Sequence, residues 1–339
     1  MPAQAFGLDI GRSFIKIIQV KVSGNKKELL AAGNAPSSAE GLKTESKTQL
    51  KELSEIVKNL VKNSKAEGNK CAVSIVEAQT VTRLIELPNL TDKELSSAIS
   101  WEADQYIPLP LKDVNLQHKV ISRPQAGTNG KMQVLLVAAP KRVVEKYLEV
   151  VKGAGLILSA IETESSSLAR VLSQNEEPLS LIVSMGAVST ELILAKSGNV
   201  YFSRSIASGG STLAKIIMAE FSLSEKQAEE YKMAYGLLTD KLSGKIAAVL
   251  RPALDILVSE ILKAVEYGRT HMHGDQLTRA IISGGGAYLP NLAEFLAEKT
   301  SMEVVLADPW VNFSKEGLIL KIPGQGSFYS VATGLALRS

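Results

Sequence analysis

The chain has 339 residues, 45% hydrophobic and 22% charged, which is the length of about two domains and a composition that excludes disorder as the main state. A formal charge of +3 and an aromatic share of 5% give neither the basic surface nor the stacking platforms of a nucleic-acid binder. The single cysteine, Cys71, excludes a disulfide framework and a cysteine zinc cluster; with no secretory pattern in MPAQAFGLDI and no run of about 18 apolar residues, a cytosolic protein is expected.

The opening reads as a β-hairpin: Phe6 to Ile10, a turn at Gly11-Arg12-Ser13, and an alternating strand from Phe14 to Val22, with Gly24-Asn25 as a second turn. Leu50, Leu53, Ile56, Val57 and Leu60 recur at helical spacing. Cys71 to Val76 and Val81 to Leu87 are short strands. Thr91 with Glu94 is a capping box opening a helix that stops at Ile107-Pro108. Val134 to Ala138 is a strand, and Lys141 to Lys152 an amphipathic helix ended by Gly153. Residues 83–160 therefore look like a compact α+β insertion.

The second half repeats the opening. Val183-Ser184-Met185-Gly186 aligns without a gap on Leu8-Asp9-Ile10-Gly11, Thr190 to Ala195 is the return strand, and Ser197-Gly198-Asn199 leads to Val200-Tyr201-Phe202, the mark of an internal duplication. After Gly209-Gly210 the pattern is helical to about residue 273, with a second capping box at Ser224 and Gln227 and a long helix from Ile246 to Tyr267. Leu277 to Ser283 is a strand leading through Gly284-Gly285-Gly286 into a helix from about Leu289; Glu303 to Leu306 and Tyr329 to Leu337 are the last strand and helix.

Two tight glycine turns, one per half, present backbone N–H groups as phosphate-binding nests. Asp9 suits a hydrated Mg²⁺, which keeps most of its waters, and Lys16 reaches toward a phosphate oxygen. The triple glycine lets a planar group or phosphate approach the backbone, with a helix amino end behind it. It matches neither the Walker loop nor GxGxxG. His271, His273 and Asp275 lack further zinc ligands, Ser165-Ser166-Ser167 has no base partner, and Cys71 is inert core.

With GLDIGRSFIKIIQV at the start, WEADQYIPLPLKDV at 101–114, VAAPKRVVEKYLEVVKGAGL at 137–156, IETESSSLARVL at 161–172, SRSIASGG at 203–210 and ISGGGAYLPNLAEFLAEKT at 282–300, the chain resembles the PilM family of type IV pilus assembly proteins. These are relatives of the cell-division protein FtsA within the actin-like ATPase superfamily. The resemblance implies a bilobed actin-like (ribonuclease-H-like) α/β ATPase fold with an FtsA-type α+β insertion in the first lobe. The implied divisions are 1–82, with 161–178 and 327–339, for the first-lobe core; 83–160 for the insertion; 179–212 and 277–326 for the second-lobe core; and 213–276 for a helical subdomain.

Carried over by position, the resemblance implies ATP with Mg²⁺. Asp9, Gly11, Arg12, Ser13 and Lys16 form the first phosphate site, with Asp9 the Mg²⁺ residue through water. Gly186, Ser189, Thr190, Gly209 and Gly210 belong to the second, and Gly284, Gly285 and Gly286 lie against the adenosine. Glu229 and Lys232 stand near ribose and base. Glu164 positions water, so Asp9 and Glu164 are the catalytic candidates. One departure stands out: the second hairpin of relatives reads Asp-x-Gly, and here Ser184 takes the acid's place. Losing a preorganised charge reduces a rate by roughly 10²–10³, so at most a slow ATPase is expected.

The partner implied is the amino-terminal peptide of a bitopic PilN-like protein, in a groove between the insertion and the first lobe. Residues near Trp101 and Ile107 are candidates, although Trp101 also fits a core position. The protein would sit at the inner face of the cytoplasmic membrane, touching it only indirectly; self-association is left open. The alternatives are an FtsA-like filament former, a type II secretion platform component and a phosphotransferase of the sugar-kinase branch.

Overall fold

A computed structural model describes residues 5–24, 26–124, 130–174, 178–272, 276–322 and 325–338. The elements are β1 (Phe6–Ile10), β2 (Phe14–Ser23), β3 (Lys26–Pro36), α1 (Lys47–Ser64), β4 (Lys70–Ile75), β5 (Val81–Pro88), α2 (Asp92–Tyr106), β6 (Val114–Ser122), β7 (Lys131–Pro140), α3 (Lys141–Gly153), β8 (Ile157–Thr163) and α4 (Glu164–Leu172). The second half adds β9 (Ser180–Met185), β10 (Thr190–Lys196), β11 (Asn199–Ile206), α5 (Gly210–Phe221), α6 (Glu225–Tyr235), α7 (Lys245–His271), β12 (Arg279–Ser283), α8 (Leu292–Thr300), β13 (Glu303–Leu306) and α9 (Ser330–Ala336).

The duplication extends well beyond one hairpin. The first five-stranded sheet runs β3-β2-β1-β4-β8 and the second runs β11-β10-β9-β12-β13. In each, the first three strands are antiparallel and the last two join in parallel. Parallel strands need crossovers: β1 to β4 crosses through α1, and β9 to β12 through α5, α6 and α7. Both capping boxes form, at Thr91/Glu94 and Ser224/Gln227.

Residues 83–160 divide between two packing units. The three-stranded sheet β5-β7-β6 and α2 share their own core, with Ile85, Leu95, Ile99, Ile107 and Val134. Helix α3 instead packs Tyr147, Val150 and Val151 with Leu53 and Val57 of α1, and β8 pairs in parallel with β4. Within 83–160 the apolar face of α3 thus has its match on α1 rather than in the core of the three-stranded sheet. The strands β3, β6 and β8 and the helix α4 have no counterpart among the sequence-predicted elements. Asn25, half of the expected turn at 24–25, lies outside the described residues.

Helix α9 lies between β1 and α4 at backbone contact distance. A Cβ on Gly7 would stand 2.0 Å from the Ala332 carbonyl oxygen, and one on Gly334 2.1 Å from that of Ser167. The other side of α4 meets the second sheet, Leu168 and Ala169 packing in one cluster with Ile182, Ile193 and Ile281. These close approaches bring together the strand ends that carry the glycine turns. Gly334→Ala is therefore expected to destabilise the chain by roughly 3 kcal/mol or more, read as a lowered urea midpoint; an unchanged midpoint would show that α4 and α9 separate freely.

Candidate functional site

In the first hairpin the Gly11 N–H donates to the Phe14 carbonyl at 3.1 Å. Asp9 and Lys16 are register partners, and the Lys16 ammonium lies 2.8 Å from Asp9 Oδ2. That ammonium also sits 4.7 Å from the Phe328 ring centroid, and Phe14 meets the same ring edge-on at 5.6 Å. Asp9 is buried, so its carboxylate depends on this one cation. The Arg12 guanidinium is turned to the Ala39 carbonyl, and Ser13 is exposed with its carbonyl holding the Ser37 N–H at 2.9 Å.

The second hairpin closes the same way, Gly186 N–H to Ser189 carbonyl at 2.9 Å. Its register partners are Ser184 and Glu191, in the places of Asp9 and Lys16. Glu191 is 2% exposed. Its Oε1 accepts hydrogen bonds from the Ser189 and Ser205 hydroxyls, both at 2.9 Å, while its Oε2 has no partner. Burial pushes the Glu191 carboxyl from an ordinary 4.5 to about 7; the two hydroxyls oppose this and the charge of Glu77 adds to it.

Gly210 donates its N–H to the Gly186 carbonyl at 2.9 Å, and Ser211 to Ala187 at 2.8 Å. A Cβ on Gly209 would stand 2.6 Å from the Gly186 oxygen. This glycine pair seats α5 on the hairpin, and the Gly210 amide is engaged there rather than turned to an anion. Thr190 holds the Ser208 carbonyl at 2.7 Å. Lys232 is buried, donates to the Gly210 carbonyl at 3.0 Å and pairs with Glu229 at 2.6 Å, so these candidates join the second hairpin.

Glu164 opens α4, with the Thr163 hydroxyl capping the Ser166 N–H at 3.2 Å. It is partly accessible. Its carboxyl is held well above the usual range, first by lost solvation, then by the charges of Asp9, Glu191 and Glu77, with Lys16 opposing. Glu164 thus senses groups from both hairpins. Glu77, just after β4, accepts from the Ser165 hydroxyl of α4 at 2.6 Å and from the Ser203 hydroxyl of β11 at 2.5 Å, and so ties the two sheets together. The structure brings the predicted Asp9, Lys16 and Glu164 into one electrostatic neighbourhood and adds Glu77, Glu191 and Phe328. Glu191 was legible by comparing the two hairpins residue by residue; Glu77 and Phe328 carry no sequence signal of their own.

At the triple glycine, Gly284 has φ +83 and a Cβ there would stand 2.4 Å from the Met185 oxygen; one on Gly286 would stand 2.3 Å from Met185 Cγ. These two glycines admit Met185 of the second hairpin. Gly285 is exposed, with the Phe328 ring 3.8 Å from its Cβ direction, and keeps the open face expected for a planar group. The helix expected directly behind the glycines is instead a 3-10 turn over Gly285–Tyr288. Pro290 keeps Leu289 out of the helical region, and α8 starts at Leu292.

Among the described residues no three His, Cys, Asp or Glu side chains converge to hold a metal ion. His271 stacks on Tyr267 at 4.1 Å; His273 and Asp275 lie outside the described residues. Burial pushes the Cys71 thiol up to about 12, which keeps it inert. Asp9, Glu77 and Glu191 act on the Glu164 carboxyl against the Lys16 ammonium. Such an acidic cluster repels a bare polyphosphate and favours one whose charge a divalent cation has already reduced. The residues therefore fit Mg²⁺ held through water and phosphate oxygens, with Asp9 as a residue to hold it.

The family model for type IV pilus assembly protein PilM matches residues 7–339. The solved PilM-PilN type IV pilus biogenesis complex is similar with a TM-score of 0.84 and 26% identity, covering 100% of this chain and 99% of that one. MreB 5 of Spiroplasma citri, bound to AMPPNP, is similar with a TM-score of 0.52 and 15% identity, covering 98% and 95%. The cell division protein FtsA of Streptococcus pneumoniae serotype 2 (strain D39 / NCTC 7466) is 20% identical over 89% of this chain and 75% of its own length. The fold is the expected bilobed actin-like α/β ATPase fold.

Between pH 4.5 and about 7 folded Glu191 keeps a proton that the unfolded chain has released, so stability falls as pH rises through that window and levels off above it. The loss is about 3 kcal/mol. Urea titrations across this range are expected to show a shallower slope for Glu191→Gln; matching slopes would show that Glu191 is solvated. Gly286→Ala, which forces Met185 aside, is expected to lower stability by roughly 1–3 kcal/mol in the same assay.

Proposed function

The chain belongs to the family of type IV pilus assembly protein PilM, and on that premise we propose that it is an ATP-binding scaffold of the pilus platform at the inner face of the cytoplasmic membrane, holding the amino-terminal peptide of a bitopic PilN-like protein. The observation that carries the nucleotide part is the pair of identically closed hairpins, Gly11 to Phe14 and Gly186 to Ser189, whose Asp9, Lys16 and Glu191 act on Glu164. Asp9, Gly11, Ser13 and Lys16 serve one side of the phosphates, Gly186, Ser189 and Thr190 the other, and Gly285 the adenosine. Lys16 would serve a phosphate oxygen and Asp9 would hold Mg²⁺ through water, the metal supplying charge neutralisation at the phosphates.

Hydrolysis is slow on this reading. Ser184 carries no charge, so the second hairpin lacks the preorganised acid that relatives hold at that place. The partner part is supported by the PilM-PilN complex as the similar solved structure. Trp101 is 81% exposed on α2, and Tyr106 and Leu109 further along the chain are exposed as well, whereas Ile107 packs in the core with α2 and β5–β7. An exposed tryptophan is a ready anchor for a peptide. Among the described residues no helix is long and apolar enough to cross a membrane, and contact with the membrane through the bitopic partner needs none.

The test is peptide affinity with and without MgATP, alongside steady-state turnover. A several-fold change in peptide Kd and turnover far slower than once per second are expected. Indifference of the peptide to nucleotide leaves a passive platform, and brisk hydrolysis abolished in Asp9→Ala overturns the scaffold reading. Trp101→Ala is expected to weaken the peptide about tenfold or more at an unchanged melting temperature.

A further inference from the structure

Resting on the nucleotide reading above, we infer that Glu191 is the acid of the second hairpin: from the strand beside Ser184 it accepts a hydrogen bond from the hydration shell of a nucleotide-borne Mg²⁺, opposite Asp9.

The inference starts from the comparison of the two hairpins. They share strand order, pairing sense and turn closure, so their residues correspond one to one. In the first, an acid at 9 faces a cation at 16; in the second, a hydroxyl at 184 faces an acid at 191. Directly paired antiparallel residues hold their side chains on the same face of the sheet, with Cβ atoms about 4.5–5.5 Å apart. A carboxylate on Glu191 therefore serves nearly the same space as one on residue 184.

The state of that carboxylate is the second observation. The Ser189 and Ser205 hydroxyls fix Oε1 and so set the side chain's direction. Oε2 is buried and lacks a hydrogen-bond partner, a condition that native structures rarely leave unanswered. Asp9 has the Lys16 ammonium; nothing equivalent meets Glu191 Oε2. A donor carried in with the ligand satisfies it, and the waters of Mg²⁺ are such donors. Direct ligation is not required, in keeping with the lack of a converging trio of metal ligands among the described residues. The Ser184 departure thus moves the second acid across the hairpin ladder without removing it.

The test is isothermal titration of the full chain with ATP in Mg²⁺ and with ATP in EDTA. The parent is expected to bind more tightly with Mg²⁺. Glu191→Gln, which keeps the Oε1 acceptor, is expected to lose about tenfold or more in Mg²⁺ and nothing in EDTA. The double variant Ser184→Asp/Glu191→Ser returns the acid to the strand position matching Asp9 and is expected to regain the Mg²⁺ effect. It also serves as the test if Glu191→Gln does not fold. The inference is overturned if Glu191→Gln keeps the parent's Mg²⁺ gain, loses affinity equally in both buffers, or is not repaired by the double variant. A parent that binds ATP in neither buffer instead overturns the nucleotide reading beneath it.

Discussion

The arrangement depends on one steric constraint: α9 lies against β1 and α4 at a separation that only glycine permits. Gly7 and Gly334 each leave room for a carbonyl oxygen where a Cβ would stand. Because the backbones touch, α4 fits between the two sheets, and its first residue, Glu164, stands where both glycine hairpins end. Widening this contact by one methyl group would move Asp9 and Glu191 apart along with their sheets. Close packing of this kind transmits small displacements rather than absorbing them, so the same contact that builds the cleft also links it to both lobes.

The site so formed is electrostatically unbalanced. The charges of Asp9, Glu191 and Glu77 act on the Glu164 carboxyl with Lys16 opposing them, and burial raises the carboxyls of Glu164 and Glu191. Hydroxyls rather than cations stabilise the acids beyond Asp9: Ser165 and Ser203 hold Glu77, and Ser189 and Ser205 hold Glu191. A hydroxyl satisfies geometry without cancelling charge, so the imbalance persists until a cation arrives. Glu77 has a further consequence, because its two serines come from α4 and from β11. The two sheets are thus tied by one buried carboxylate whose two oxygens each hold a hydroxyl from a different element.

Legibility in the sequence followed burial. Central strands such as β1, β4 and β9 are covered on both faces and read as continuous apolar runs. The strands with no sequence signal, β3, β6 and β8, are all sheet edges, where exposure alternates irregularly; lysine and asparagine interrupt the pattern in β3 and β6, and serine and glutamate in β8. Helix α4 escaped for another reason. Its buried face includes Ser165 and Ser167, small polar residues chosen by helix contact and by the Glu77 hydrogen bond, which no apolar periodicity reveals. At the site, glycine turns and the Asp9–Lys16 pair were visible because their function depends on neighbours in the chain.

The sequence by itself determined the duplicated glycine hairpins and both capping boxes, since each follows from spacing along a few tens of residues, while the family and the bilobed fold came from its resemblance to known proteins. The tertiary structure alone decided that α3 belongs with α1, that Gly209 and Gly284 serve packing before ligand approach, and that Glu77, Glu164 and Glu191 share one field. Those three acids are separated by 87 and 27 residues in the chain, and their interaction depends on distance through space and on excluded water, neither of which a linear order of residues encodes.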